Sequence, residues 1–275
     1  MRILIEKRDV ASIPVLTLAP EDARKAPVIF YIPGYGWGKE SGLSLGYRLA
    51  QAGFAFISYD PLFHGERYQE HLDHAAEPEL GGVYPPDTGL DTGRIFFRVI
   101  AQSLDEIKVL LNGFAADPRF DLQSCGVTGP SLGGCASFLA FANQPQIKAA
   151  VPMIGIPNFT KRWTDLLDET AFSDPDWARA LADQEEQTQE FTEFIRGIDP
   201  YQKLLQIGDR ALLIMNCDFD SDQPKIYSID LYREMLPNYR DNPGMLQLRI
   251  YPAGHQVTPE MEADAVSWFQ KHLPG

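Results

Sequence analysis

The chain has 275 residues, of which 44% are hydrophobic and 23% charged, and its formal net charge is −14. This size and composition fit one large α/β domain, or one such domain with an inserted cap. The negative charge argues against a surface that binds nucleic acid or an anionic membrane, because both of those partners are negatively charged themselves. We therefore expect no nucleic-acid partner and no membrane association.

The N-terminus and the cysteines predict a cytoplasmic protein. The apolar run after Arg2 ends already at the charged residues Glu6, Lys7 and Arg8, which is not typical of a signal peptide, and no apolar run approaches the roughly 20 residues of a membrane span. The three cysteines, Cys125, Cys135 and Cys217, are odd in number and lie in apolar stretches. That pattern indicates reduced core thiols and not a disulfide framework. The sequence leaves a homodimer open.

Short apolar runs alternate with amphipathic stretches along most of the chain. Residues 3–8 and 13–19 predict an antiparallel pair of strands at one edge of a sheet. In chain order, the further predicted elements are a strand at 28–32, a helix over about 42–52, a strand at 54–59, a helix from 94 to about 115, a strand at 147–154, a strand at 211–215, a helix at 224–236, a strand at 246–251 and a helix over about 258–272. Strands that alternate with helices predict a mostly parallel sheet with helices on both faces.

Two stretches interrupt this alternation. Residues 64–93 are rich in His, Pro, Gly and acidic residues, and we interpret them as a long loop excursion over one face. Residues 158–206 carry aromatic residues among many acids without a strand pattern, which indicates a helical lid or cap. The spacing of His71 and His74 suits a metal site on a helix, but this acidic loop has no helical pattern, so we expect no metal there.

A Gly-x-Ser-x-Gly pentapeptide lies at the centre of the chain. It comprises Gly129 to Gly133, follows an apolar run, and leads into a stretch with the pattern of a buried helix. A strand, a sharp turn and a helix form the context in which this pentapeptide presents a serine nucleophile. The turn is strained, so the residues two before and two after the serine must be nearly free of side chain, and Gly129 and Gly133 are. Ser131 is therefore the predicted nucleophile.

Candidate partners of Ser131 follow later strands. Of the five histidines, His255 is the one that directly follows a predicted strand, and a base with a near-neutral pKa is what a serine nucleophile needs. An earlier strand leads into Asp218, Asp220 and Asp222, one of which would orient the imidazole. The carboxyl ends of parallel strands meet at one edge of a sheet, so these groups are expected close together. The residue pattern alone does not choose among the three carboxylates.

The chain resembles the α/β-hydrolase superfamily and, within it, the dienelactone-hydrolase-like and prolyl-oligopeptidase-like esterases. The resemblance covers the core from about residue 26 to the C-terminus. Its motifs are the approach to the pentapeptide from Asp117 to Gly134, the Asp60–Arg67 segment, and Lys39-Glu40 shortly after Gly34. It implies a single α/β-hydrolase domain over residues 1–275, with a cap at about 158–206 and a loop excursion at about 64–93.

The resemblance also implies roles for individual residues. Ser131 would be the nucleophile and His255 the general base. The family's Gly-x-x-Asp-x-x-x-Pro run overlays Cys217 to Pro224, which favours Asp220 as the acid, ahead of Asp218 and then Asp222.

An oxyanion hole and a substrate pocket complete the expected site. The resemblance implies that two backbone N–H groups form the oxyanion hole. One is that of Leu132, and the other belongs to the loop that follows strand 28–32, most simply that of Tyr35. The aromatic residues Phe159, Trp163 and Trp177 of the cap are candidates for an acyl pocket. We expect His64 to have a structural role, as a hydrogen-bonded histidine that holds the loop after its strand.

The expected function is hydrolysis of small carboxylic esters by a serine carboxylesterase through an acyl-enzyme intermediate. Its partner would be a small-molecule ester, and we expect neither a cofactor nor a metal. Two alternatives are a serine hydrolase of short peptides and a non-catalytic ligand-binding protein that has the hydrolase fold.

Overall fold

The computed structural model describes residues 1–68, 90–173 and 185–273. The pair His71 and His74, most of the predicted excursion at 64–93, and Trp177 therefore lie outside the described residues. The strands are β1 (Ile3–Val10), β2 (Ile13–Pro20), β3 (Ala26–Tyr31), β4 (Ala55–Tyr59), β5 (Phe120–Pro130), β6 (Ile147–Met153), β7 (Ala211–Cys217) and β8 (Leu246–Tyr251).

The described helices follow the strands in alternation. They are α1 (Leu43–Gln51), α2 (Leu90–Gly113), α3 (Leu132–Asn143), α4 (Phe159–Ser173), α5 (Glu185–Ile198), α6 (Tyr201–Leu204), α7 (Ile226–Met235) and α8 (Pro259–His272). Short 3-10 turns occupy Lys39–Gly42, Gly65–Arg67, Leu236–Tyr239 and Pro243–Met245. Among the helices described, none combines the length and the apolar character that crossing a membrane requires.

The strands form one sheet in the order β1-β2-β4-β3-β5-β6-β7-β8. The strands from β3 to β8 run parallel to one another, whereas β2 is antiparallel to both β1 and β4. The mostly parallel α/β sheet and the antiparallel edge pair predicted from the sequence are confirmed. The carboxyl ends of β3 to β8 consequently lie along one edge, where loops can bring distant residues together.

Side chains alternate between the two faces of the sheet along each strand, and helices cover both faces, so both sets of side chains are buried. In β3, Val28 and Phe30 belong to the core that packs under α2 and α3, whereas Ile29 and Tyr31 belong to the core that packs under α1 and α8. Burial of these strands on both faces explains why they read as continuous apolar runs in the sequence.

Strand β5 begins earlier than its apolar pattern indicates. The apolar run starts at Cys125, but the strand extends back to Phe120, and residues 121–124 are less buried than the rest. This first half pairs with the start of β3, and the register shifts between Pro27 and Val28. A polar, partly exposed start of a strand leaves no clear periodicity in the sequence.

The segment at 158–206 is helical in its described parts, namely α4, α5 and α6. An aromatic cluster joins it to α2, since the ring of Trp163 lies 5.2 Å from that of Phe191 and 6.2 Å from that of Phe97. The Nε1–H of Trp163 donates to Thr192 Oγ1 at 2.9 Å, which links α4 to α5. The division of the chain into one hydrolase domain with a cap stays a prediction.

Candidate active site

Ser131 lies in the sharp turn between β5 and α3. Its backbone has φ 55° and ψ −115°, a left-handed conformation that is costly for a residue with a side chain. Hydrogen bonds on both sides hold this conformation: the Ser131 N–H donates to Met153 O at 3.0 Å, and the Ser131 carbonyl accepts from the Cys135 N–H at 2.9 Å. The turn projects the hydroxyl from the carboxyl edge of the sheet.

The glycines around Ser131 are required by close backbone approaches. A Cβ at Gly129 would lie 2.1 Å from Ile32 O, and a Cβ at Gly133 would lie 1.8 Å from the same atom. At Gly134 the added carbon would lie 2.4 Å from Met153 O. None of these distances is compatible with a side chain, so the glycines allow β3, β6 and α3 to pack against the turn.

A continuous chain of hydrogen bonds joins Ser131, His255 and Asp220. His255 Nε2 lies 2.9 Å from Ser131 Oγ, and its Nδ1 lies 2.8 Å from Asp220 Oδ2. The Asp220 side chain is fully buried, whereas that of His255 is 28% exposed. Asp220 Oδ1 accepts the N–H groups of Asp222 and Gln223 at 3.0 and 2.9 Å, so both oxygens of the buried carboxylate have partners.

The loops that carry Asp220 and His255 are aligned by an extension of the β7–β8 ladder. The Asp218 N–H donates to Tyr251 O at 2.8 Å, and the Phe219 N–H donates to Ala253 O at 3.0 Å. These bonds continue the pairing beyond the ends of both strands and set the acid beside the histidine. Neighbouring strands in space therefore supply two groups that are 35 residues apart in the chain.

The structure separates the three candidate carboxylates. Asp218 is exposed and pairs with the ammonium group of Lys225. Asp222 is exposed, and Ser221 Oγ donates to its Oδ1 at 3.5 Å. Of the three, Asp220 is the one that contacts the imidazole of His255.

A buried polar cluster supports the turn that holds Asp220. Ser228 Oγ donates to Asn216 Oδ1 at 2.7 Å, and Asn216 Nδ2 donates to Gln223 O at 3.3 Å. Asn216 and Ser228 are both fully buried. This cluster was not predicted from the sequence, although a polar residue such as Asn216 near the end of an apolar strand is a usable signal.

The expected oxyanion donors lie on two sides of Ser131. Leu132 is the first residue of α3, where backbone N–H groups have no partner within the helix. Tyr35 lies in the turn after β3 that is closed by the Trp37 N–H and Gly34 O at 3.0 Å, with Gly36 at φ 79°. A Cβ at Gly34 would lie 3.8 Å from Ser131 Cβ, so this turn passes beside the serine.

A buried ion-pair network anchors the segment after this turn. Lys39 and Asp60 have side chains that are 2% and 0% exposed, and Lys39 Nζ lies 2.6 Å from Asp60 Oδ2. Asp60 also accepts the backbone N–H of Lys39 at 2.7 Å and that of Glu66 at 2.9 Å. Burial lowers the pKa of Lys39, but its bonds to Asp60 and Glu66 outweigh this, and the pKa is raised overall. The ammonium therefore stays charged.

His64 occupies the structural position expected for it. It is 3% exposed, and Nδ1–H donates to Leu62 O at 2.7 Å. Its ring lies edge-on to the ring of Tyr35 at 5.4 Å. These contacts tie the loop after β4 to the turn that carries Tyr35.

Two cavities that share lining residues lie among the described residues, and Ser131 lines the larger one. A cleft of about 770 Å³ contains Ser131, His255 and Tyr35 in its wall. A smaller pocket of about 200 Å³ shares Phe96, Asp222 and Gln223 with the cleft. Apolar side chains dominate this smaller pocket, which we name the side pocket: Phe96, Phe97, Ile156, Phe159 and Leu166.

The predicted pocket residues take different positions. Phe159 lines the side pocket, as expected for a substrate contact. Trp163 lines neither cavity, because its ring is 1% exposed and packs edge-on against Phe97 and Phe191. Trp163 therefore packs inside the aromatic cluster, whereas the sequence predicts that it lines the acyl pocket. Phe96 and Phe97 were missed, because an amphipathic pattern does not say which apolar residues of α2 face a cavity.

One group of side chains in the same loops has donor atoms close enough to hold a metal ion. Among the described residues, Asp220, Asp222 and His255 have donor atoms within 4.8 Å of one another. A cation there would compete with the bond between His255 Nδ1 and Asp220 Oδ2. The nearby Cys135 offers no thiolate, since burial raises the pKa of its thiol to about 12.

Two curated proteins are similar to the whole chain. "Putative esterase YitV" of Bacillus subtilis (strain 168) is 26% identical over 274 residues, which cover 98% of this chain and 100% of that protein. "Esterase YjfP" of Escherichia coli (strain K12) is 26% identical over 285 residues, with the same coverage. No family model matches the chain.

Solved structures share the fold at lower identity. TT1662 of Thermus thermophilus has a TM-score of 0.68 at 20% identity, over 100% of both chains. The acetyl xylan esterase of Paenibacillus sp. R4 has a TM-score of 0.68 at 16% identity, over 99% of this chain and 88% of that one. The acylaminoacyl peptidase of Pyrococcus horikoshii has a TM-score of 0.65 at 17% identity, over 99% of this chain but 42% of that one.

The chain has the α/β-hydrolase fold. The α/β-hydrolase fold predicted from the sequence motifs is confirmed, and the curated relatives support an enzyme of the hydrolase class. In this α/β hydrolase, Ser131 occupies the strand-to-helix turn, while Asp220 and His255 follow β7 and β8. The chain order serine, acid, histidine is the one associated with this fold.

Proposed function

We propose that this α/β hydrolase is a serine carboxylesterase that cleaves small carboxylic esters through an acyl-enzyme intermediate. The observation that carries the proposal is the hydrogen-bond chain from Ser131 Oγ through His255 to the buried carboxylate of Asp220. The names of the two curated relatives, an esterase and a protein described as a putative one, agree with it. The substrate is a small-molecule ester, and the cytoplasmic location and the homodimer stay predictions.

In the first half-reaction, His255 Nε2 accepts the hydroxyl proton while Ser131 Oγ attacks the ester carbonyl carbon. Asp220 holds the imidazole in the tautomer with the proton on Nδ1 and stabilises the imidazolium that forms. The backbone N–H groups of Leu132 and Tyr35 stabilise the carbonyl oxygen as it becomes negative. His255 then returns the proton to the leaving alkoxide, the C–O bond breaks, and the alcohol departs.

In the second half-reaction, a water molecule replaces the alcohol. His255 accepts a proton from the water as its oxygen attacks the acyl carbon, which forms a second tetrahedral intermediate. That intermediate collapses, His255 protonates Ser131 Oγ, and the carboxylic acid is released. Every proton passes through Nε2, so the 2.9 Å contact between Nε2 and Ser131 Oγ is the centre of the reaction.

The side pocket suits the acyl part of the ester. A dry cavity of about 150 Å³ lined by Leu, Ile and Phe binds benzene in another protein, so a pocket of about 200 Å³ holds a group of that size. Phe159 and Phe97 supply much of its apolar wall. We assign the acyl group to this pocket because it is apolar and shares Phe96, Asp222 and Gln223 with the cleft that contains Ser131.

A covalent probe tests the nucleophile. A fluorophosphonate is expected to add its phosphonyl mass to the peptide containing Ser131 and to abolish hydrolysis of p-nitrophenyl butanoate. Ser131→Ala should lower kcat by about 10⁵-fold or more, as triad knock-outs do in other serine hydrolases. The matched control is Ser137→Ala in the same helix, whose hydroxyl donates to Gly133 O.

The outcomes also separate the alternatives. Normal ester hydrolysis by Ser131→Ala would refute the mechanism. Faster cleavage of N-acylaminoacyl anilides than of matched esters would favour the peptidase. Saturable ligand binding with an unreactive Ser131 would favour a non-catalytic binding protein.

A further inference from the structure

The cleft has a second end, on the opposite face of the sheet from the side pocket. Tyr31 and Leu45 line this end and belong to the core under α1 and α8. Phe97 and Phe159 line the side pocket and belong to the core under α2 and α3. The side pocket and this end of the cleft are therefore built from different cores.

Polar groups gather at this second end. Tyr31, Ser41 and Glu262 all line the cleft there, and we name them the polar end. The hydroxyls of Tyr31 and Ser41 are 3.5 Å apart, which is a long hydrogen bond that leaves both with bonding capacity. Burial raises the pKa of Tyr31 to about 12. At neutral pH its hydroxyl is therefore protonated and can donate a hydrogen bond.

Glu262 is held in place at the start of α8. Its Oε2 accepts from Ser44 Oγ at 2.8 Å and lies 3.4 Å from Arg48 Nε. The carboxylate is 17% exposed. Because Arg48 offsets its negative charge, the carboxylate serves as a positioned hydrogen-bond acceptor more than as an attractor of cations.

The chemistry of the reaction decides which part of the substrate reaches the polar end. His255 must protonate the leaving oxygen, so the alcohol lies on the side of His255. Gln256 and Val257 directly follow His255 and line the cleft toward Glu262. With the acyl group in the apolar side pocket, the alcohol extends along this wall.

We propose that the polar end is the subsite for the alcohol part of the ester, and that this alcohol carries further neutral hydroxyl groups, as glycerol or a sugar does. The inference rests on the proposed esterase function and adds the substrate class. Hydroxyl groups can both donate to Glu262 and exchange hydrogen bonds with Tyr31 and Ser41. A purely apolar alcohol would displace water from Tyr31, Ser41 and Glu262 without using their remaining bonding capacity, which disfavours its binding.

Two esters of equal chain length test the proposal. Propyl butanoate and 2,3-dihydroxypropyl butanoate have the same acyl group and the same three-carbon alcohol, and the second adds two hydroxyls. We expect kcat/KM for the dihydroxypropyl ester to exceed that for the propyl ester by about tenfold, the effect of one or two hydrogen bonds of ordinary strength. The ratio of the two values is the readout.

Three variants of the polar end should each lower this ratio by about threefold or more. They are Tyr31→Phe, Ser41→Ala and Glu262→Gln. Ser41 is exposed, so its variant keeps the test valid even if a change at buried Tyr31 disturbs folding. Glu260→Gln is the matched control: Glu260 is exposed in the same first turn of α8 and does not line the cleft, so its ratio should equal that of the wild type.

Each other outcome overturns the proposal. Equal kcat/KM for the two esters in the wild type, or an unchanged ratio in all three variants, excludes a hydroxyl-binding subsite. A marked preference for choline butanoate over 3,3-dimethylbutyl butanoate would assign the polar end to cationic alcohols instead. Failure of the wild type to hydrolyse any of these esters would refute the esterase function itself, whereas hydrolysis of both test esters at equal rates refutes the subsite alone.

Discussion

The Nζ atom of Lys39 lies 2.6 Å from Oδ2 of Asp60, and both side chains are almost completely shielded from water. Asp60 follows β4, and Lys39 follows the turn that contains Tyr35. The pair is reinforced by the backbone N–H of Lys39, which donates to the other Asp60 oxygen at 2.7 Å. Asp60 therefore anchors the segment that begins beside Ser131 to the neighbouring strand.

Asp60→Asn should destabilise the protein by about 3 kcal/mol, because it leaves the buried ammonium of Lys39 without its nearest counter-ion. We also expect kcat to fall more than KM rises, since the Tyr35 turn would lose its anchor and Tyr35 N–H would move from the carbonyl oxygen. Urea unfolding and steady-state kinetics measure both effects. Glu40→Gln is the control, since the exposed Glu40 pairs mainly with Lys7 and should matter little. Equal stability of the two variants would contradict this account.

Exchange of single carboxylates tests the choice of the acid. Asp220→Asn should lower kcat by about 10³- to 10⁴-fold, because the amide cannot hold His255 in the productive tautomer. Asp218→Asn should change kcat less than about twofold, since Asp218 is exposed and contacts Lys225. Kinetics on p-nitrophenyl butanoate give both numbers. A larger loss in Asp218→Asn would assign the acid to that residue.

Two glycine-to-alanine substitutions should change the stability of the protein in opposite directions. Gly133→Ala places a Cβ 1.8 Å from Ile32 O, so the turn and β3 must separate, and we expect a loss of several kcal/mol together with most activity. Gly197→Ala in α5 meets no atom within 4 Å and should stabilise the protein by up to about 1 kcal/mol. Thermal unfolding of both variants checks the pair. A stable, active Gly133→Ala protein would show that the tight turn is not required.

The side pocket should set the preference for acyl length. Leu166→Phe narrows the pocket and should lower the ratio of kcat/KM for p-nitrophenyl hexanoate to that for the acetate, by about fivefold for the lost apolar contact. Leu166→Ala widens it and should shift the preference toward longer chains. Leu167→Phe on the same helix is the control, as Leu167 is partly buried but does not line the pocket. Parallel behaviour of Leu166 and Leu167 variants would place the acyl group elsewhere.

The cysteines should be inert in the folded protein. Burial raises the pKa of the Cys125 and Cys135 thiols to about 12 and also raises the pKa of Cys217. Raised values keep the thiols protonated, so at pH 8 only about one Cys125 or Cys135 in 10⁴ is a thiolate. We expect no fast reaction with 5,5′-dithiobis(2-nitrobenzoic acid) in the native state and three equivalents in denaturant. A rapidly reacting native thiol would contradict this burial.

Much of the fold was predictable because its signals are local. The apolar runs of β3 and β7 and the glycines beside Ser131 record burial and close packing in consecutive residues. The start of β5 was not predictable in the same way, since residues 121–124 are mostly polar, and the pairing of Phe120 and Asp121 with β3 joins this stretch to the sheet. Similarly, Trp163 was a candidate pocket residue because it is aromatic, and only its contacts with Phe97 and Phe191 show that it packs in the interior.

The sequence by itself determined the element order, the strained serine turn and the residue types that could serve Ser131. All of these depend on periodicity and spacing along the chain. The residue pattern did not separate Asp218, Asp220 and Asp222, and only the motif resemblance favoured Asp220; the tertiary structure shows the contact of Asp220 with His255, because the three residues differ in burial and partners. It also decided that Tyr31 and Glu262, more than 200 residues apart, line one end of the same cleft. Such proximity is a product of long-range packing, which no local pattern encodes.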